Sequence, residues 1–314
     1  MKKLLGLALF LLILYLLLLA SDPGARSAIN HFNLGKRIGL YGIISLGAGC
    51  LIISGGIDLS IGSVVGLCAT VMAMLVAKHE WPWPAAFAVV LALGAAIGAV
   101  HGLFVTKLKV QAFVVTLCGL FIYRGIARWL AHDQVQGLQN KAKWLKYWLY
   151  QSKDVFGLPM SLVIFLILAG LFAVFLHLSV YGRYLSAIGS NEQAARYAGI
   201  AVDRYKVLAY VICSTLAAFF SIVFLMEQSS AQPSSTGNFF ELYAIAGAVL
   251  GGCSLRGGEG TVPGIMIGAA ILWILPNFTN MWGVSSQLEY TVIGGALLFG
   301  ALLDEFLRRK SARK

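Results

Sequence analysis

The sequence predicts an all-α, polytopic membrane helix bundle built as a single domain over residues 1–314. Three observations predict it. Hydrophobic residues make up 59% of the chain and charged residues 12%, about half the charged share of a soluble domain. The apolar residues fall in runs of membrane-crossing length. The polar residues collect in the segments between those runs. In water so much apolar surface would aggregate, whereas in a bilayer it faces hydrocarbon.

The runs lie near 4–20, 38–54, 61–77, 85–105, 111–130, 160–178, 207–226, 241–252, 264–280 and 289–305. They predict about ten helices, eight to ten of them spanning. Met1-Lys2-Lys3 precedes the first run, and no small-residue cleavage site follows it, so residues 1–20 read as an uncleaved first span or signal-anchor. The run at 241–252 is short and glycine-rich, which fits a half-helix or a re-entrant piece.

Threading from a cytoplasmic N-terminus puts 106–110, 179–206, 253–262 and the basic tail 306–314 in the cytoplasm. The segments 21–37, 78–84, 131–159, 227–240 and 281–288 then fall outside. Lys and Arg are about twice as dense on the side assigned inside, as the positive-inside rule expects. The external loop 131–159 alternates Trp144, Tyr147, Trp148 and Tyr150 with Lys141, Lys143 and Lys146. That pattern fits an amphipathic helix lying at the lipid interface or a docking surface for an external partner.

The net charge of +11 does not imply a nucleic-acid partner, because the cations sit in loops between spans and form no stripe. Cys50, Cys68, Cys118, Cys213 and Cys253 contain no C-x-x-C pair and lie in or beside apolar runs. They read as small packed hydrophobes, with neither a disulfide nor a metal site. The five histidines (His31, His79, His101, His132 and His177) are scattered and form no i, i+4 pair. His101 and His177 read as satisfied helix residues.

Three polar segments carry the functional argument. In Gly55-Gly56-Ile57-Asp58-Leu59-Ser60-Ile61-Gly62-Ser63, paired glycines break a helix and Asp58 or Ser60 can cap the next one. The same acid is costly in a membrane unless it is paired or faces a polar pathway. Residues 188–200 carry a cap at Ser190 or Asn191, helix formers through Ala198, and a stop at Gly199. A short polar cytoplasmic helix between two spans is more than an anchor needs. Its Gln193-Ala194-Ala195-x-x-x-Gly199 spacing resembles the EAA-x-x-x-G pattern by which ABC importer permeases meet their ATPase. The third segment runs from Ala231-Gln232-Pro233 through Glu241 to Gly251-Gly252 and Gly257-Gly258. It lacks the lysine of a Walker A loop, so its glycines read as close packing and tight turns. No segment of the chain offers a nucleotide site.

In order and spacing these segments resemble the ribose-type sugar permeases of bacterial ABC importers, over about residues 35 to 305. The matching stretches are Gly55–Ser63, Ala187–Ile200, Ser229–Pro233 and Leu250–Gly264. The resemblance implies an inner-membrane, non-enzymatic subunit that binds no cofactor itself. It also implies a partner ATPase in tandem form that uses ATP-Mg, a second permease chain, identical or homologous, and an extracytoplasmic sugar-binding protein. Ser190, Asn191, Glu192, Gln193, Ala194, Ala195 and Gly199 would couple to the ATPase, and Asp58, Ser60 and Glu241 would line the pathway. One departure stands out. Members of the family commonly carry an acid after Glu-Leu, where Tyr243 stands here.

Two rivals make different demands. An ion-gradient-driven secondary transporter would place acids deep in several helices, and here Asp58, Glu241 and Glu289 lie near the edges of runs. A polytopic membrane enzyme would cluster His, Asp, Glu or Ser at one face, which the sequence does not show.

Overall fold

The computed structural model describes residues 2–139, 141–151, 157–288 and 290–298. Twelve α-helices have defined bounds: α1 (Lys2–Ser21), α2 (Ala28–Ile53), α3 (Ile61–Ala73), α4 (Trp83–Thr106), α5 (Ala112–Leu130), α6 (Lys143–Lys146), α7 (Met160–Ala173), α8 (Val180–Ser190), α9 (Glu192–Tyr197), α10 (Val202–Gln228), α11 (Phe240–Leu250) and α12 (Val262–Met281). π-helical turns at Met74–Lys78 and Val174–Leu178 extend α3 and α7 to membrane-crossing length. Among the described residues, eight helices are long and apolar enough to cross a bilayer. The protein is thus the polytopic helical bundle that the composition predicted.

Two of the ten runs are not among these eight. The run at 241–252 forms α11, whose 11 residues reach only about 16 Å, roughly half the hydrocarbon thickness. The last run, 289–305, is described as helical only over 290–298. Its remainder and the basic tail lie outside the described residues.

Helix α2 forms the centre and packs against α7, α10, α11 and α12. α10 in turn packs on α3 and α4, α5 on α3, and α1 on α12. The peripheral helices α1, α5 and α7 are mostly exposed along their lengths and turn Leu9, Phe121 and Leu171 outward, the surface that hydrocarbon wets.

Small residues decide which helices come closest. Lipid tails are as apolar as leucine, so backbone approach and dispersion replace the hydrophobic effect between spans. Gly94, Gly98 and Gly102 line one face of α4 and meet Ser214, Tyr210 and Val207 of α10. Gly247 of α11 and Gly251, which caps that helix, face Gly268 and Gly264 of α12 in the same way. Polar clasps add to this packing. Asn30 and Asn277 exchange side-chain hydrogen bonds at 3.2 and 2.8 Å between α2 and α12.

The external loop predicted over 131–159 is not one amphipathic helix. It forms a two-residue strand β1 (Gln136–Gly137), antiparallel to β2 (Ser230–Ala231), then the single turn α6 and a π-helical turn over Tyr147–Gln151. Leu145 is buried, while Trp144, Tyr147 and Trp148 remain exposed.

Candidate functional site

The three motif segments converge at one end of the bundle. The Gly258 amide donates to the Ile53 carbonyl at 2.9 Å, closing the turn after α11 onto the end of α2. Gly189, near the end of α8, lies between them, and a Cβ there would overlap both the Ile53 carbonyl and the Gly258 backbone. Gly257 touches the backbone of Gly189 and Gly55 and has φ +85°, while Gly258 has φ +79°. Only glycine takes that left-handed shape without strain and also lets three backbones meet.

Not every glycine expected in a turn adopts one. Gly55 and Gly252 take positive φ, but Gly56 and Gly251 do not. Gly56 is required by crowding from Leu51 and Tyr210, and Gly251 by its approach to Gly264.

Helix α9 hangs directly from this junction. Asn191, not Ser190, is its cap, with Oδ1 accepting from the Ala194 amide at 2.9 Å, and Gly199 ends it at φ +82°. Ala195 is buried against Ile188 and Val202. Asn191, Gln193, Ala194, Tyr197 and Ala198 are exposed, and Tyr197 is 92% exposed.

Ion pairs brace α9 from behind. Lys206 reaches Glu192 at 2.6 Å, Arg196 reaches Asp203 at 2.8 Å and Glu192 at 3.3 Å, and Lys107 at the end of α4 reaches Asp203 at 3.3 Å. The Lys206 hydrogen bond, ahead of the neighbouring charges, holds the Glu192 carboxyl below the usual carboxylate range. Exposed pairs contribute little one by one, but a network restrains α9 more than isolated pairs would.

The broken-helix segment leads from the junction into the bundle. Asp58 Oδ1 accepts from the Ser60 amide at 2.7 Å and the Ser60 hydroxyl at 2.6 Å. Ser60 occupies the cap position of α3 but makes no side-chain cap bond, so Asp58 is the residue that shapes the turn. Tyr210 of α10 donates to the Ile57 carbonyl at 3.4 Å.

Asp58 Oδ2 has no hydrogen-bond partner and stands 3.8 Å from His101 Nδ1, which also has none. The other His101 ring nitrogen meets the Tyr123 hydroxyl at 2.9 Å. An unsatisfied buried polar atom costs roughly 1–3 kcal/mol, so two of them side by side mark this as a tense point in the fold.

Glu241 is buried in the same region, against the first turn of α3 at Gly62. Arg124 of α5 donates to the Thr236 carbonyl at 2.6 Å and the Pro233 carbonyl at 3.1 Å, and its charge interacts with Glu241. Asp58, Ser60 and Glu241 are thus enclosed by this chain's own helices, at 2%, 0% and 9% exposure. They form a polar seam between the broken-helix turn and the loop before α11.

His101, Tyr123, Arg124 and Tyr210 complete the seam, and the sequence pattern did not single them out as a site. A lone histidine or arginine in an apolar run has no partner visible in one dimension. Their only signal was the cost of a polar group at membrane depth. Tyr243, at the position of the missing acid, packs against Tyr41 and Trp273 with ring centroids 5.5 Å away in each case, and Arg37 lies over Trp273 at 5.1 Å. Among the described residues no group of three or more His, Cys, Asp or Glu side chains could hold a metal ion.

Residues 30–302 match the family described as "Branched-chain amino acid transport system / permease component". The chain belongs to this family. Within it, the chain is a ribose-type ABC-importer permease, a multi-pass protein of the bacterial inner membrane. It is 37% identical to the ribose import permease protein RbsC of Escherichia coli, over 94% of this chain and 91% of the relative. The Bacillus subtilis ribose import permease is 33% identical over 98% and 92%. The Escherichia coli xylose transport system permease protein XylH is 31% identical over 93% and 88%. No solved structure matches the chain.

Proposed function

We propose that this chain forms, with a second permease chain, the membrane pathway of an importer for a sugar or a sugar-like solute. A separate cytoplasmic ATPase with two joined nucleotide-binding domains drives it, and an extracytoplasmic binding protein delivers the solute. The relatives named for ribose and xylose support the solute class. One observation carries the coupling role: α9 offers an exposed, small-residue face on an ion-paired frame, three residues beyond the Gly189 junction with α2 and the 251–260 turn. Pressure on α9 therefore reaches the broken-helix segment by backbone contact instead of through flexible side chains. The switch would be a rigid-body rearrangement of packed elements, with no covalent step in this chain.

The test replaces Ala194 with Arg on that exposed face. The variant should insert in the membrane at normal levels yet lose ATP-dependent uptake of labelled D-ribose and co-purification of the ATPase. Normal uptake by this variant would overturn the coupling role. Uptake that collapses with the proton gradient while ATP is maintained would point to a secondary transporter.

A further inference from the structure

The geometry points to His101 as a positioning residue that latches the Asp58 turn to helices α4 and α5 and makes it move with them. The seam is built around this ring. Gly98 and Gly102 bring α4 flush against α10, so that His101 lies beside Tyr210, with ring centroids 6.3 Å apart. On the other side Gly119 of α5 leaves room for the ring: a Cβ there would stand 2.8 Å from His101 Nε2 and 2.9 Å from Tyr123. The imidazole is thus held between two helices and aimed at a third element.

Its hydrogen-bond roles follow from its neighbours. Asp58 can only accept when ionised, so the useful ring proton is the one on Nδ1. Nε2 then accepts from the Tyr123 hydroxyl at 2.9 Å. The gap from Nδ1 to Asp58 Oδ2 is 3.8 Å, about 1 Å longer than a charge-assisted bond. Both atoms are buried and have no partner. A shift of the 54–60 segment by that amount would make the bond without moving a helix. The same segment begins beside the Gly189–Gly257 contact from which α9 hangs. We therefore assign the Asp58–His101 gap as the two-position contact between the coupling junction and the α4–α5 pair. Its place in transport rests on the function proposed above, while the latch itself rests on the geometry alone.

Two measurements test it. In the full chain in lipid nanodiscs, amide hydrogen exchange over residues 55–60 should rise about tenfold in H101L, because the closed position, in which Nδ1 donates to Oδ2, is then no longer available. It should stay near wild type in H101Q, which keeps a donor. G119A, which displaces the ring without removing it, should raise exchange as H101L does and covers the case in which H101L fails to insert. D58N keeps an acceptor for Ser60, and combining it with H101L should add no further exchange. In the assembled transporter, with labelled D-ribose as the probe, H101L should consume several-fold more ATP per sugar imported. Unchanged exchange in both H101L and G119A, or multiplying effects of D58N and H101L, would overturn the latch. An unchanged ATP-to-ribose ratio would overturn its role in transmission. Failure of the wild-type transporter to import ribose would strike the sugar reading alone, because the exchange data still decide the latch.

Discussion

The two ends of the bundle are held together by different physics. At the end that carries α9, Gly55, Gly189, Gly257 and Gly258 bring three backbones into contact, and α9 is braced by a network of ion pairs. At the opposite end, the loop 131–151 is held by a two-residue strand pair and by side chains: Trp83 stacks on Trp144 at 5.2 Å, Lys146 donates to Ser229 at 2.6 Å, and Lys141 pairs with Glu80. A backbone junction has no rotamers with which to absorb a change. A side-chain contact can lose one partner and re-solvate. The α9 end is therefore the stiffer of the two, and the far end the one that can yield locally.

Substitutions can break that contrast, and the largest effect belongs to the junction. Gly189→Val should cost about 3 kcal/mol or more, because neither the Ile53 carbonyl nor the Gly258 backbone can step aside. The thermal midpoint of the purified protein and its yield in membranes should both fall, and a normal midpoint would remove the contrast. Next comes Arg124→Met, which leaves the Thr236 and Pro233 carbonyls and the Glu241 charge without their cation, at about 2–3 kcal/mol. Proteolysis within 229–239 should accelerate ahead of global unfolding. Trp144→Ala removes a stacked aromatic pair worth about 1 kcal/mol. Hydrogen exchange should rise over 136–146 and stay unchanged over 53–60. A rise at both ends would show that the two regions are not independent.

The ion-paired frame of α9 gives a smaller, pH-dependent effect. Glu192 has its folded pKa lowered below the ordinary 4.5. Its contribution is therefore fully present above that value and is lost as pH falls through the folded value. α9 should become less protected from exchange across that acidic window, by no more than about 0.5 kcal/mol given its exposure. Glu192→Gln should abolish this pH dependence, and an unaltered profile would show that another group is responsible. The smallest effect is expected from Lys141→Ala. That pair is solvent-exposed, and its loss should leave the thermal midpoint at the wild-type value.

Much of this molecule could be read from sequence. Long apolar runs with charges confined between them allow few structures other than membrane helices, and among the described residues eight of the ten expected runs form helices long and apolar enough to cross a bilayer. Asn191 and Gly199 mark the ends of α9 because capping and left-handed chain reversal are local chemistry. Residues 131–159 were harder. Their alternation of aromatics and lysines is helical over 143–151, as α6 and the π-helical turn that follows it, but Gln136 and Gly137 pair with Ala231 and Ser230, a partner that the local pattern does not show. Asp58 and Ser60 were visible as polar residues at a helix break, yet the division of labour between them was not. It depends on the carboxylate folding back on Ser60 instead of reaching into α3.

From the sequence alone came the solvent of this protein, the number of long apolar segments, and the caps and breaks that punctuate them. Each depends on composition or on residues within a few positions of one another. Only the tertiary structure decided that Ile53, Gly189 and Gly258 touch, that His101 of α4 looks at Asp58, and that Arg124 serves the loop before α11. Those contacts join residues dozens to more than a hundred positions apart. They depend on how closely glycine faces let helices approach, a distance that no local pattern encodes.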